Sequence, residues 1–271
     1  MSYIFTDRAA EDERLVAQGR LFDPLTRRLF ELAGLAPGMR VLDLGSGAGN
    51  VARLTASLVG PDGAVVGVEH DPAAVALARR RSDLEGAAAG IEYRVGDAQT
   101  LEGVEDGFDA VIGRLILMHL TDPIAALRRA ATRVRPGGLI CMHEPDLAYF
   151  PASPRTPLWS QFHGYFVETL EKAGIETRMG PSLFTAFRAA GLPEPHLLAE
   201  TNAAGGHDSP GWAWANVISA MVPLMERFGV ATRADVDPAT LAERLQAETL
   251  AADGCVYGPP MTGAWVLLPT A

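Results

Sequence analysis

The strongest constraint on the fold is an alternation of two patterns between residues 41 and 144. Short runs rich in Val, Ile and Leu alternate there with stretches whose apolar residues recur at helical spacing. Strands that alternate with helices in this way are joined by right-handed crossovers, which make the strands parallel and cover both faces of the sheet. The predicted strands are residues 41–44, 65–68, 91–95, 108–112 and 139–143. The pattern predicts a doubly wound, Rossmann-like α/β fold.

The segments on either side of this core differ from it. Residues 6–33 carry apolar residues at helical spacing and are predicted to form two amphipathic helices. Residues 196–203 and 262–268 are candidate strands that would return to the first sheet and complete seven mostly parallel strands. Residues 145–190 and 205–255 are predicted to be helical insertions that form a lid over the sheet.

These patterns predict one domain over residues 1–271, with residues 1–40 capping a ligand-binding core at residues 41–144. The formal net charge of −10 argues against a nucleic-acid partner, because binding phosphates requires a positive surface. No stretch reaches the roughly 20 apolar residues that cross a bilayer, and the N-terminus lacks an apolar leader. Cys141 and Cys255 are too few for a disulfide framework or a zinc site. We therefore expect a cytoplasmic protein with no membrane partner and no metal.

A glycine-rich turn, residues 45–49, follows the first predicted strand. Ligands of open α/β sheets bind at the carboxyl ends of the strands, which is where this turn is expected to lie. Asp43 precedes the turn, and its carboxylate would repel a pyrophosphate but suit a cationic ligand. Asn50 stands where a dinucleotide site carries its third glycine, and the Gly-Lys-Ser/Thr of a P-loop is absent. A nicotinamide dehydrogenase is therefore disfavoured.

Carboxylates also follow the next two predicted strands. The second strand ends in Glu69 and His70, and an acidic residue at this position can accept hydrogen bonds from ribose hydroxyls. The third strand is followed by Asp97 and Ala98, a carboxylate and a backbone N–H that suit an adenine. Together with Asp43, these residues fit an adenosine that carries a positively charged amino-acid tail.

These motifs, together with residues 108–112 and the turn at residues 136–138, resemble those of the class I S-adenosylmethionine-dependent methyltransferases. The similarity is greatest to the small-molecule enzymes of bacterial secondary metabolism. It implies S-adenosyl-L-methionine as cofactor and S-adenosyl-L-homocysteine as product. The residues that it implies as cofactor contacts are Asp43, Gly45 and Gly47 at the methionine end, Glu69 and His70 at the ribose, Asp97 and Ala98 at the adenine, Arg114 near the carboxylate, and Tyr3 and Gln18 as lid residues.

Methyl transfer from a sulfonium is an in-line displacement at an activated carbon, so orientation supplies most of the rate. A general base is needed only where the acceptor must lose a proton. His143 and Glu144, at the end of the fifth predicted strand, are the preferred candidates. Tyr149, His119 and His163 are the next candidates.

The predicted acceptor residues are Trp159, Phe162, His163, Phe166 and Trp214. If these side chains line a pocket, the acceptor is flat and apolar, such as an aromatic or indole-like metabolite. The alternative is that the aromatic side chains simply bury the helices.

Three further points stay open at this level. A protein that binds the cofactor without methylating, or that regulates a partner, would carry the same loop. A macromolecular acceptor is disfavoured by the charge and by residues 113–116, which lack the Asn/Asp-Pro-Pro-Tyr of amino-methylating DNA enzymes. A small-molecule acceptor is expected, and a homodimer is left open.

Overall fold

A computed structural model of the protein describes residues 8–84, 86, 90–149, 152–209 and 211–270, without the side chains of residues 8–18 and 20. The described chain divides into two units. We call residues 22–145, 179–200 and 261–271 the sheet unit, and residues 1–21, 146–178 and 201–260 the helical unit.

The sheet unit is built on seven strands, which are β1 (Arg40–Leu44), β2 (Ala64–Glu69), β3 (Ile91–Val95), β4 (Phe108–Arg114), β5 (Val134–Pro145), β7 (His196–Glu200) and β10 (Met261–Leu267). They lie in the order β3-β2-β1-β4-β5-β10-β7. Six strands run parallel to one another, and β10 is antiparallel to both of its neighbours, β5 and β7. The predicted mostly parallel seven-stranded sheet is therefore confirmed, including the return of both late strands to it.

Helices connect these strands and cover the sheet. The helices are α1 (Arg8–Ala33), α2 (Asn50–Val59), α3 (Pro72–Leu84), α4 (Pro123–Arg133) and α6 (Met179–Ala189), with a 3₁₀ turn at Leu117–His119. Helix α4 begins at an N-cap, since the Asp122 side chain accepts a hydrogen bond from the backbone N–H of Ala125 and Pro123 occupies the first turn. One face of the sheet contributes Val41, Ile112 and Cys141 to a fully buried core.

The N-terminal segment forms one helix, so the prediction of two helices is wrong. Helix α1 runs from Arg8 to Ala33 and contains Pro24. A proline removes one backbone hydrogen bond from a helix interior. The apolar positions nevertheless continue past it, and Leu29 and Phe30 are completely buried in the core of the sheet unit. Tertiary burial of the helix after a proline can offset the lost bond.

The helical unit contains α5 (Pro157–Lys172), α7 (Gly211–Ala220), α8 (Val222–Phe228), α9 (Arg233–Val236) and α10 (Leu241–Ala251). It also contains a small antiparallel sheet in the order β6-β9-β8, built from Ala152–Ser153, Cys255–Tyr257 and Ala203–Gly205. These strands were not predicted, because two or three residues are too few to show a period of two.

Helix α6 lies within the residues predicted as the first insertion, but it belongs to the sheet unit and contacts β5 and β10. Among the described helices, none is both long and apolar enough to cross a membrane.

Candidate functional site

Three glycines shape the loop between β1 and α2. Gly45, Gly47 and Gly49 have φ angles of 64°, 51° and 81°, in the left-handed region that favours glycine. A Cβ on Gly45 would lie 2.4 Å from Cδ1 of Ile116, and a Cβ on Gly49 would lie 2.4 Å from the Tyr93 hydroxyl. A Cβ on Gly47 would have no described atom within 4 Å. The loop is therefore tightly packed at both ends and open at its centre.

Asp43 is the penultimate residue of β1, two residues before the first glycine of this loop, and is 1% exposed. Within the described part of the chain, neither of its carboxylate oxygens has a hydrogen-bond partner. Burial raises the pKa of Asp43 to about 8, with a smaller lowering by Arg114 and a smaller raising by Glu69. A buried carboxylate without a partner is costly, and a cationic group that reached it would remove that cost. The geometry suits an ammonium group.

Glu69, at the end of β2, ties the neighbouring strand to the same loop. Its Oε2 accepts from the backbone N–H of Gly47 at 3.1 Å, and its Oε1 accepts from that of Asp71 at 2.9 Å. His70 Nδ1 lies 2.7 Å from Oε1. A carboxylate offers about four acceptor positions. The predicted ribose contact is therefore compatible with the bonds that Glu69 already makes.

Asp97 follows β3, the third strand of the same edge. Its side chain is exposed, and its Oδ1 accepts from the backbone N–H of Gln99 at 2.7 Å. Ala98 beside it is buried. Because β1, β2 and β3 are neighbours in the sheet and run parallel, Asp43, Glu69 and Asp97 share one edge. The predicted order of methionine, ribose and adenine residues thus follows adjacent strand ends.

Arg114 ends β4 and is buried, but its bonds go to a helix. The guanidinium Nη1 donates to Asp23 Oδ1 at 2.8 Å and to Thr26 Oγ1 at 2.9 Å. Asp23 and Thr26 were not predicted as site residues. A signal for Thr26 is available in the sequence, since it is a polar residue on the apolar face that Phe22 and Phe30 define at helical spacing.

His143 and Glu144, the preferred general bases, are adjacent in β5 and so point to opposite faces of the sheet. His143 Nδ1 lies 3.1 Å from Thr26 Oγ1. Burial, with a smaller effect of Arg114, lowers the pKa of His143 to about 3, so the imidazole is neutral at pH 7 and accepts a proton weakly. A role of His143 as the base stays a prediction.

Glu144 holds the segment that follows β4. Its Oε1 accepts from the backbone N–H groups of Ile116 and Leu117 at 3.0 and 2.8 Å. Leu115, just before them, has a φ of 56°, which is strained for a residue with a side chain. Because Ile116 packs on Gly45, we infer that Glu144 supports the glycine-rich loop.

Replacing Glu144 with Ala is expected to lower the free energy of unfolding by about 3 kcal/mol, because two buried N–H groups lose their acceptor. Glu144→Gln keeps the acceptor oxygen and is expected to cost less than half as much.

Burial raises the pKa of Glu144 to about 7. A raised pKa in the folded state means that the carboxyl contributes stability at low pH, which is lost as the pH rises through 7. We expect urea unfolding to show that the free energy of unfolding of Glu144→Gln, relative to that of the wild type, is higher at pH 8 than at pH 5. The same difference between the two proteins at both pH values would contradict this.

The remaining base candidates lie in other places. His119 ends the 3₁₀ turn after β4 and is half-buried. Tyr149 belongs to the helical unit and is exposed. His163, in α5, has its Nε2 3.0 Å from the carbonyl oxygen of Leu147, and burial lowers its pKa. A role as base stays a prediction for each.

The predicted aromatic acceptor residues pack against one another in the helical unit. The rings of Trp159 and Phe166 meet that of Trp214 edge to face, with centroid distances of 6.1 and 5.8 Å. All three side chains, and that of Phe162, are buried. Edge-to-face packing of this kind stabilises a core. These contacts favour the alternative that the rings bury the helices, and a role as pocket walls stays a prediction.

Two predicted lid residues cannot be placed. Tyr3 lies outside the described residues, and Gln18 lies in α1 with its side chain outside the description. Among the described residues, no group of three or more His, Cys, Asp or Glu side chains is arranged to hold a metal ion.

Comparison with known proteins gives the family. A family model described as a methyltransferase domain matches residues 35–171, about half of the chain. The ubiquinone/menaquinone biosynthesis C-methyltransferase UbiE of Ectopseudomonas mendocina (strain ymp) is 33% identical over 129 residues, which are 48% of this chain and 50% of that protein. The chain spans 31% to 55% of the length of the curated relatives it matches.

Solved structures show the same fold at low identity. Phosphoethanolamine N-methyltransferase 2 of Haemonchus contortus aligns with a TM-score of 0.55 and 19% identity, over 89% of this chain and 51% of that one. The [4+2]-cyclase SpnF aligns with a TM-score of 0.52 and 19% identity, over 92% of this chain and 82% of that one. The chain therefore belongs to the family of methyltransferase domains, with the fold of the class I S-adenosylmethionine-dependent methyltransferases.

Proposed function

We propose that the protein transfers the methyl group of S-adenosyl-L-methionine to a small aromatic or heteroaromatic acceptor and releases S-adenosyl-L-homocysteine. One observation carries the proposal. Asp43 presents a buried carboxylate that has no hydrogen-bond partner among the described residues, beneath a loop that is open at Gly47. A cationic amino-acid tail satisfies this carboxylate, whereas a pyrophosphate does not.

The binding roles follow the strand ends. Asp43 would accept from the ammonium of the cofactor, and the open backbone at Gly47 would let the methionine portion approach closely. Glu69 would accept from the ribose hydroxyls with the lone pairs that Gly47 and Asp71 leave free. Asp97 and Ala98 would bind the adenine. His70, beside Glu69, would lie near the ribose.

The bound cofactor supplies a methyl group on a positively charged sulfur, which is already activated for displacement. The protein's part is to hold the acceptor in line with that methyl group, so we expect most of the rate to come from orientation. His143 is neutral and hydrogen-bonded to Thr26, so we assign it to positioning and not to proton transfer. A base, if the acceptor needs one, is then sought among Glu144, His119, Tyr149 and His163. Glu144 keeps one carboxylate oxygen without a hydrogen-bond partner among the described residues.

The acceptor class rests on two lines of support. The small-molecule motifs of residues 41–144 favour a metabolite over a macromolecule, as does the net charge of −10. The related UbiE protein is named for C-methylation in ubiquinone and menaquinone biosynthesis. We therefore test aromatic rings, quinols among them, first, and leave oxygen, nitrogen and carbon open as the methylated atom. We also propose that the predicted lid, residues 145–190 and 205–255, covers the bound acceptor.

The test is methyl transfer from isotopically labelled S-adenosyl-L-methionine, followed by mass spectrometry. The acceptor panel comprises a prenylated quinol, a simple phenol, an indole and, as the contrasting class, an aliphatic amine. We expect the label in at least one aromatic acceptor and not in the amine. Label in the amine alone would overturn the acceptor class, and label in nucleic acid or protein would favour the macromolecular alternative. Cofactor binding without transfer to any acceptor would favour a non-methylating or regulatory role.

A further inference from the structure

A row of polar side chains crosses one face of the sheet at its carboxyl edge. Asp43 of β1 pairs in register with Ile112 of β4, and Arg114 lies two residues further along on the same face. Arg114 in turn pairs with His143 of β5. Asp43, Arg114 and His143 are all buried. The carboxylate at the centre of the proposed site therefore shares its sheet face with a buried guanidinium.

Helix α1 fixes that guanidinium. Arg114 donates to Asp23 and Thr26 of α1, at 2.8 and 2.9 Å. The Thr26 hydroxyl donates its single proton to the carbonyl oxygen of Phe22, at 2.9 Å. Thr26 Oγ1 can then only accept from Arg114 and from His143 Nδ1. His143 therefore carries its proton on Nδ1, and the four side chains form one connected network.

The charges that act on Asp43 come from the elements packed around it. Arg114 on β4 is the cation among them and lowers the pKa of Asp43, whereas Glu69 on β2 raises it. His143 on β5 is neutral because burial lowers its pKa to about 3. Tyr93 on β3 is neutral too, since burial above all raises the pKa of its hydroxyl. Asp23 on α1 is paired with Arg114. The ionisation of Asp43 thus depends on where α1 holds Arg114.

We propose that Arg114, held by Asp23 and Thr26 of α1, is the counter-ion that favours the ionised form of Asp43, so that helix α1 shifts the pH range in which the site accepts a cationic ligand. Arg114 is then a positioning residue that acts through Asp43. The part of the proposal that concerns the ligand rests on the proposed function. The part that concerns the charge of Asp43 is a property of the protein alone and can be measured without any ligand.

The test compares unfolding of the ligand-free protein between pH 5 and pH 10. Because the pKa of Asp43 is raised in the folded state, its contribution to stability is lost as the pH rises towards that pKa. Relative to Asp43→Asn, the unfolding constant of the wild type should rise about tenfold per pH unit and level off near pH 8. In Arg114→Met, measured against the Arg114→Met/Asp43→Asn double variant, the rise should continue to a higher pH. Thr26→Val should also move the pH at which the unfolding constant levels off upwards, but by less than Arg114→Met.

Arg128→Met is the matched control, since Arg128 is an exposed arginine of the same unit that donates to the carbonyl oxygen of Ala189. It should leave the levelling pH unchanged. Should Arg114→Met fail to fold, carbon-13 NMR of the Asp43 carboxyl in Thr26→Val gives the same answer directly. A levelling pH that is identical in wild type, Arg114→Met and Thr26→Val would overturn the proposal.

A second readout separates this proposal from the proposed function. Calorimetric titration with S-adenosyl-L-homocysteine should give an affinity that increases between pH 6 and pH 8, with the increase displaced to higher pH in Arg114→Met. If no binding occurs at any pH while the unfolding curves shift as expected, the proposed function fails and the charge assignment stands. If binding occurs but its pH dependence is the same in both proteins, the charge assignment fails.

Discussion

Replacing Asp43 with Asn is expected to weaken the binding of S-adenosyl-L-homocysteine about 100-fold at pH 8 and to leave the protein folded. The amide has the same shape but no charge, so the ammonium of the ligand loses a charge-assisted hydrogen bond in a buried setting, worth up to about 3 kcal/mol. Titration calorimetry of the two purified proteins measures the difference.

The same substitution should stabilise the ligand-free protein at high pH. Burial raises the pKa of Asp43, so ionising it costs stability in the folded state, and Asn cannot ionise. We therefore expect Asp43→Asn to melt at a higher temperature than the wild type at pH 9. Asp62→Asn is the matched control, because Asp62 is exposed in the turn before β2. Equal affinity in Asp43→Asn and the wild type would contradict the assigned role.

Replacing Gly45 with Ala is expected to lower the free energy of unfolding by about 3 kcal/mol. The φ angle of 64° costs a residue with a Cβ about 1 kcal/mol, and the Cβ would lie 2.4 Å from Ile116 Cδ1, an overlap whose relief costs about 1–3 kcal/mol. Urea unfolding measures the loss. The double variant Gly45→Ala/Ile116→Ala removes the overlap with Ile116. Measured against Ile116→Ala alone, it should lose only the part of the free energy of unfolding that comes from the backbone conformation.

Gly47→Ala separates packing from binding within the same loop. Its φ angle is also positive, but its Cβ would enter open space. We expect a loss of only about 1 kcal/mol in stability, from the backbone alone, together with a clear loss of affinity for S-adenosyl-L-homocysteine. If Gly45→Ala and Gly47→Ala lost equal stability, the packing described for this loop would be incorrect.

Much of the fold could be predicted because its signals are local. The strands of residues 41–144 are short apolar runs between helical stretches, and Asp122-Pro123 marks the start of α4. The extent of α1 could not be predicted in this way, because Pro24 lowers local helix propensity while burial of Leu29 and Phe30 outweighs it. The three-stranded sheet of the helical unit depends on pairing between segments about a hundred residues apart in one case and about fifty in the other.

In the candidate site, too, the residues with a local sequence signal could be predicted and the long-range contacts could not. Asp43, Glu69 and Asp97 were accessible to prediction because each lies at or just beyond the carboxyl end of a strand, and parallel strands bring these ends to one edge. The bonds of Arg114 to Asp23 and Thr26 join residues 91 and 88 positions apart, which no local pattern encodes. His143 and Glu144 were grouped as bases because both lie at the end of the fifth predicted strand. Adjacency in a strand places side chains on opposite faces, so the period of two already separates them.

The account depends above all on one claim, that a cationic nucleoside binds at the ends of β1, β2 and β3. Hydrogen–deuterium exchange with and without S-adenosyl-L-homocysteine tests it most directly. The account predicts slower exchange at residues 45–50, 69–71 and 97–99, no such change in Asp43→Asn, and none in the wild type with a nicotinamide dinucleotide. Unchanged exchange at residues 45–50 in the wild type, at ligand concentrations that saturate binding, would contradict it.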